Sequence, residues 1–164
     1  MNHDADAICL RAMGFLELGM PEDALAELDE LTVGSSMALH LRVDAFFRLC
    51  DWQSALEICL PMTEQEPSDA GWWIQSAYAT RRVRSLVEAE SLLRTGLRKH
   101  PEHPLMLYNL ACYACVQERL DEAREWLERA IVVDEAQVFK MAVVDSDLVA
   151  LRTWLIERRL KGRA

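Results

Sequence analysis

The sequence predicts an all-α fold, an array of antiparallel helix pairs, and three observations predict it. The first is a period: Ala55, Ala89 and Ala123 stand 34 residues apart, and Ala24 lies 31 before Ala55. A fixed interval of this kind is the signature of stacked supersecondary units. The second is agreement at fixed offsets from those markers. Four residues on come Leu28, Cys59, Leu93 and Leu127; twelve back come Ala12, Val43, Ala77 and Ala111; sixteen back come Ile8, Leu39, Trp73 and Leu107. The third is the scarcity of breakers: six Gly and five Pro in 164 residues leave long uninterrupted stretches for helix.

Each unit reads as two helices. Ile8, Ala12, Phe15 and Leu16 recur at three and four, as do Ala24, Leu28 and Leu31, which is the helical period. Between them "LGMPED" breaks the pattern, with Gly19 suited to a helix end and Pro21 to a first turn. Equivalent breaks fall at "LCDWQ", "RRVRS" and "QERLD", and Pro67 and Pro101 close the second and third units. The small residues mark places where two helix backbones approach closely. The units span about 5–35, 36–69, 70–103 and 104–136 of a single domain, 1–164. Beyond them "QVFKMAVVDSDLVALRTWLIERRLKGRA" reads as helix, polar turn at Asp145–Asp147 and helix, a capping pair over about 137–160. Asp145 or Ser146 suits an N-cap.

This register resembles that of tetratricopeptide repeats over about residues 5–136, four repeats in all, and the resemblance implies a right-handed superhelical array. The chain departs from the family pattern in places. The first-helix aromatic appears as Phe15 and Phe46 but is Thr80 and Ala114 later, and the turn Gly survives only as Gly19, with Cys50, Arg84 and Glu118 in the other turns.

Composition excludes several function classes. The chain is acidic, with a net charge of −9, so nonspecific nucleic-acid binding is disfavoured. The charge is uneven: residues 1–70 carry 14 acids against 3 Lys/Arg, residues 71–164 carry 13 against 15, and the closing "ERRLKGRA" is basic. No apolar run approaches the ~20 residues that span a bilayer, and the N-terminus lacks a signal pattern, so a cytoplasmic protein with no membrane partner is expected. Cys9, Cys50, Cys59, Cys112 and Cys115 are scattered among apolar neighbours and read as reduced thiols.

No catalytic constellation, phosphate loop or zinc spacing is present, so the chain is read as no enzyme, without cofactor or metal. Cys112 and Cys115 form C-x-x-C inside a helix rather than at its N-terminus, where a redox thiol needs to be. His100 and His103 lie on the order of 15 Å along the axis from those thiols, too far to share an ion. Asp145 and Asp147 fall short of the six or more oxygens calcium takes.

What the resemblance implies is recognition by shape: the first helix of each pair lines a concave groove. The inward positions it assigns are Met13 in the first repeat and Met37, His40, Asp44, Phe47 and Arg48 in the second. In the third they are Ile74, Tyr78, Arg81 and Arg82, and in the fourth Tyr108 and Cys112. Aromatics, Met and Arg are the types enriched at binding hot spots. The expected function is a non-catalytic protein-interaction module holding an extended or helical segment of another protein. Two alternatives use the same face: a chaperone like those of bacterial type III secretion, which shares the small size and acidity, and a structural homo-oligomer. The pair that clamps a terminal carboxylate in chaperone-binding members of the family is absent, since Cys9 and Met13, or His40 and Asp44, occupy the matching positions.

Overall fold

The computed structural model describes residues 3–31 and 34–161, so the last three residues of the basic "ERRLKGRA" lie outside the described residues. Every described element is helical: α1 (His3–Glu17), α2 (Pro21–Asp29), α3 (Ser36–Arg48), α4 (Trp52–Gln65), α5 (Ala70–Val83), α6 (Leu86–Leu97), α7 (Pro104–Val116), α8 (Leu120–Val133), α9 (Glu135–Ala142) and α10 (Arg152–Lys161), with a 3-10 segment, Ser146–Leu151, between the last two. The chain divides within α6 into two compact units, one ending at Ala89 and the other beginning at Glu90. Among the described residues no helix is long and apolar enough to cross a membrane.

The periodic positions are the core. Ala24, Ala55, Ala89 and Ala123 are all fully buried, as are Ala12, Val43, Ala77 and Ala111 and, four residues beyond the markers, Leu28, Cys59, Leu93 and Leu127. In the first unit α1 packs on α2, α3 on α4 and α4 on α5. One cluster joins Ala12, Leu16, Ala24, Leu28 and Ala38; a second joins Val43, Ala55, Leu56, Cys59 and Trp72. In the second unit α7 packs on α8, and the 3-10 segment lies against α7.

Local chemistry sets the helix ends. Ser35, Asp51 and Asp69 cap α3, α4 and α5, each side chain accepting from a backbone N–H of the first turn. Ser85 caps α6, its Oγ accepting from Glu88 N at 3.1 Å and donating to the Glu88 carboxylate at 2.9 Å. Pro61 sits inside α4 on an exposed face, where the carbonyl it leaves unbonded faces water.

Three of the four turns inside the pairs share one geometry. Gly19, Cys50 and Glu118 have φ of 74°, 57° and 61°, the left-handed region. In each, the next residue's N–H reaches back five residues: Met20 to Phe15, Asp51 to Phe46 and Arg119 to Ala114, at 2.9 Å each. This is the Schellman closure of a helix, which favours glycine. The fourth turn differs, because Arg84 takes φ −124° and ψ −90° and needs no glycine.

On the buried side of α5, Ser76 and Thr80 are fully enclosed. Thr80 Oγ1 has no hydrogen-bond partner, and Ser76 Oγ faces only the weakly bonding Cys59 thiol.

Three substitutions test the turn geometry. Cys50→Gly and Glu118→Gly are each expected to raise the free energy of unfolding by about 0.5–1 kcal/mol, read from the denaturant midpoint, because a Cβ is disfavoured at positive φ. Gly19→Ala is expected to lower it by a similar amount.

Candidate functional site

In the first unit the expected inward residues of α3 and α5 divide into two groups. One group is spent on internal contacts. His40 stacks on Trp72 with ring centroids 3.5 Å apart and 9° between planes. Its Nδ1 lies 2.9 Å from Gln75 Oε1 and its Nε2 3.0 Å from Asp69 Oδ2, so both ring nitrogens are occupied within the unit. Gly71 permits this stack, since a Cβ there would meet His40 Cε1 at 3.1 Å and Asp69 Oδ1 at 3.0 Å. Arg48 pairs with Asp44 one turn back and donates to the Leu16 carbonyl at 2.7 Å, near the C-terminus of α1. His40, Asp44 and Arg48 therefore organise the unit, whatever else they meet.

The other group makes an aromatic surface. Phe47 and Tyr78 meet edge to face at 5.1 Å, and Trp52 stands 5.8 Å from each. These are the geometries the ring quadrupoles favour. The Arg82 guanidinium lies over Tyr78, 3.6 Å from its centroid, and 4.6 Å from that of Trp52. It also donates to the Tyr78 carbonyl at 3.0 Å, which fixes the plane of the fork. Tyr78 remains 39% exposed, and Met13 and Met37, at 41% and 60%, are open as well. Ile74 and Arg81 are half-buried.

Trp52 is the member that sequence reasoning missed. It is the first residue of α4, outside the first-helix positions that the repeat assigns to the groove. The available signal was a large aromatic immediately after a turn, where it is not needed for the buried stripe.

In the second unit the expectation for Tyr108 and Cys112 is corrected. Both are 3% exposed, and α7 is buried almost all round from Met106 to Cys115. The 3-10 segment covers this face. Asp145 caps that segment, accepting from Asp147 N at 2.9 Å. Its other oxygen accepts from the Tyr108 hydroxyl at 2.7 Å and the Cys112 thiol at 3.5 Å. Burial first, then the Asp145 charge, push the Cys112 thiol well above its ordinary pKa, and burial leads the rise at Tyr108. Burial likewise raises Cys115, and pushes Cys59 up to about 11.

Among the described residues, Cys112, Asp145 and Asp147 are the group of potential metal ligands that comes together, within 4.8 Å, and neither His100 nor His103 joins it. The donor set fits a metal poorly. A metal binds thiolate, whereas this thiol is held protonated as a donor to Asp145, whose two oxygens already accept three hydrogen bonds.

The second unit also holds a charge network. Glu90 accepts from Gln117 at 2.9 Å and pairs with Arg94 at 2.7 Å and Arg119 at 2.5 Å. Glu122 pairs with the same two arginines and accepts from the Trp126 indole. Burial raises the pKa of both glutamates, and these bonds outweigh it, leaving both below the ordinary value. In the first unit, hydrogen bonds from Trp72 and Ser36 lower Glu66.

Residues 74–138 match the tetratricopeptide repeat family. That stretch, 65 of the 164 residues, matches the family's repeat, and the fold of the chain is like that of tetratricopeptide proteins of known structure. A thermophilic tetratricopeptide protein of Thermus thermophilus superimposes with a TM-score of 0.75 at 15% identity, over 90% of this chain and 83% of that one. MamA from Desulfovibrio magneticus, residue 41 to the end, gives 0.72 at 17% over 98% and 94%. YrrB, a tetratricopeptide protein with an unusual peptide-binding site, gives 0.65 at 17% over 76% and 66%. At such identities the likeness is one of fold. No curated protein is a significant match.

Two measurements follow. A thiol reagent is expected to modify Cys50, the exposed cysteine, in the native protein, and to reach Cys9, Cys59, Cys112 and Cys115 on unfolding. Stability is expected to fall on acidification. Glu66, Glu90 and Glu122 have folded pKa values below the ordinary 4.5, so their contribution is complete above that pH and is lost as pH drops through the folded values. Glu90→Gln is expected to flatten the slope of denaturant midpoint against pH in that range.

Proposed function

We propose that this chain is a non-catalytic protein-interaction module, and that its aromatic surface at Phe47, Trp52 and Tyr78 receives an extended or helical segment of a partner protein. The observation that carries this is the Tyr78–Arg82 pair. A tyrosine left 39% exposed, flanked by two further rings and covered on one face by an oriented guanidinium, has the residue types and the order of a binding hot spot. Rings supply contact area with few torsions to freeze. The stacked Arg82 keeps N–H donors at its edge for a carboxylate or carbonyl of the partner. Met37 adds adaptable apolar surface.

Support from relatives is of the same kind. Tetratricopeptide proteins in general are scaffolds without catalytic activity, and YrrB has a peptide-binding site on this fold. The partner contact is confined in this reading to the first unit, because Tyr108 and Cys112 already serve the C-terminal cap.

The test begins with peptides selected from a random library on the wild-type chain, followed by calorimetry on the selected sequences. Tyr78→Ala and Arg82→Ala are each expected to weaken binding about tenfold or more, the range of hot-spot truncations. Arg98→Ala, at an exposed site outside the aromatic surface, is the control. Selected peptides that bind all four proteins equally would remove this surface from the function.

A further inference from the structure

A second surface carries an inference that does not depend on the peptide reading. Between α9 and α10 lies an open cavity of about 330 Å³ with an apolar interior that includes Phe139 and Leu155. Val143 and Ile156 form part of its wall and are 61% and 63% exposed. Arg152 and Arg159 stand at its rim, Arg159 over the Phe139 ring at 5.6 Å. A capping helix ordinarily turns a polar face outward. Here α10 instead shows Arg152, Ile156 and Arg159, at spacings of four and three, which is one helix face.

The sequence contains one stripe that matches it in chemistry and inverts it in charge. On α1, Asp6, Leu10, Met13 and Glu17 recur at four, three and four, again one face. Leu10 and Met13 are 63% and 41% exposed, and both acids are exposed. Among the described residues, Asp6, Glu17, Arg152 and Arg159 form no ion pair. The acids stand about 16 Å apart along α1 and the arginines about 10 Å apart along α10, at 1.5 Å per residue, a difference that two arginine side chains can span. Apolar residues lie between the charges in both stripes, so one alignment brings Leu10 and Met13 onto the cavity while both acids reach an arginine.

We propose that the α9–α10 cavity receives α1 of a second copy of this chain. Both stripes are open to solvent in the single chain, and the opposite charges of the acidic N-terminal part and the arginine-rich C-terminal cap select this occupant. The contact joins two different stripes of the chain, so two copies either exchange both contacts across a two-fold axis or extend head to tail.

Light scattering and sedimentation on the wild-type chain over a wide concentration range test this. Mass is expected to rise with concentration above that of one chain and to fall back in high salt, which screens the four charges. Two charge-reversed chains decide the pairing, with circular dichroism confirming that each is folded. Asp6→Lys/Glu17→Lys makes α1 basic, and Arg152→Glu/Arg159→Glu makes the cap acidic; each alone is expected to be monomeric, since its own two stripes now repel. Mixed in equal amounts they are expected to associate again, because the basic α1 of one meets the acidic cap of the other. A wild type that stays monomeric throughout overturns the proposal. So does association that survives either reversal, or a mixture that stays monomeric.

Discussion

Close approach of helix backbones is the constraint on which the rest of this structure depends. Eight positions, Ala12, Val43, Ala77 and Ala111 on first helices and Ala24, Ala55, Ala89 and Ala123 on second ones, are fully buried and carry nothing larger than Val. Interiors pack like crystals, so a larger side chain at such a position forces neighbours off their rotamers at a cost of about 1–3 kcal/mol. Once two helices are held that close, their flanking large residues have only two places to go. Leu28, Trp72 and Leu127 fill the spaces beside the contact, and residues displaced from the stripe are left facing outward. The outward set is what the fold makes available for recognition.

The two units use that outward set differently. In the first, Phe47, Trp52, Tyr78 and Arg82 satisfy one another and still present rings to water. In the second, the 3-10 segment lies across α7 and converts the corresponding residues into interior. Asp145 is the pivot: one carboxylate caps a helix, accepts a buried phenol and accepts a buried thiol. A repeat that looks equivalent in sequence is thereby withdrawn from surface duty by a segment some thirty residues downstream.

Much of the fold was legible in the sequence, because the fold is carried by local periodicity and by side-chain size. The register from Ala24 to Ala123 named the buried positions but not the turn geometry: Cys50 and Glu118 take the left-handed conformation of Gly19, and Arg84 at the matching position does not. The site was less legible, since contacts between distant positions decide it. Tyr108 and Asp145 are 37 residues apart, and His40 finds Gln75 and Asp69 at 35 and 29. Nothing in the local pattern of α3 separates His40, which is locked against Trp72, from Phe47, a half-buried ring that packs on the core and meets Tyr78 at the surface. Trp52 was overlooked because the repeat assigns second helices to the packing side.

The buried hydroxyls of α5 have an energetic consequence. Ser76 and Thr80 lie on one side of that helix and Tyr78 and Arg82 on the other. The hold on α5 comes from its indoles: Trp72 donates to Glu66 and stacks on His40, and Trp73 donates to the Pro67 carbonyl. A hydroxyl that gives up water without gaining a strong partner costs stability. The back of α5 therefore holds a reserve of firmness that apolar side chains of matching size at Ser76 and Thr80 would release, with the face it shows left unaltered.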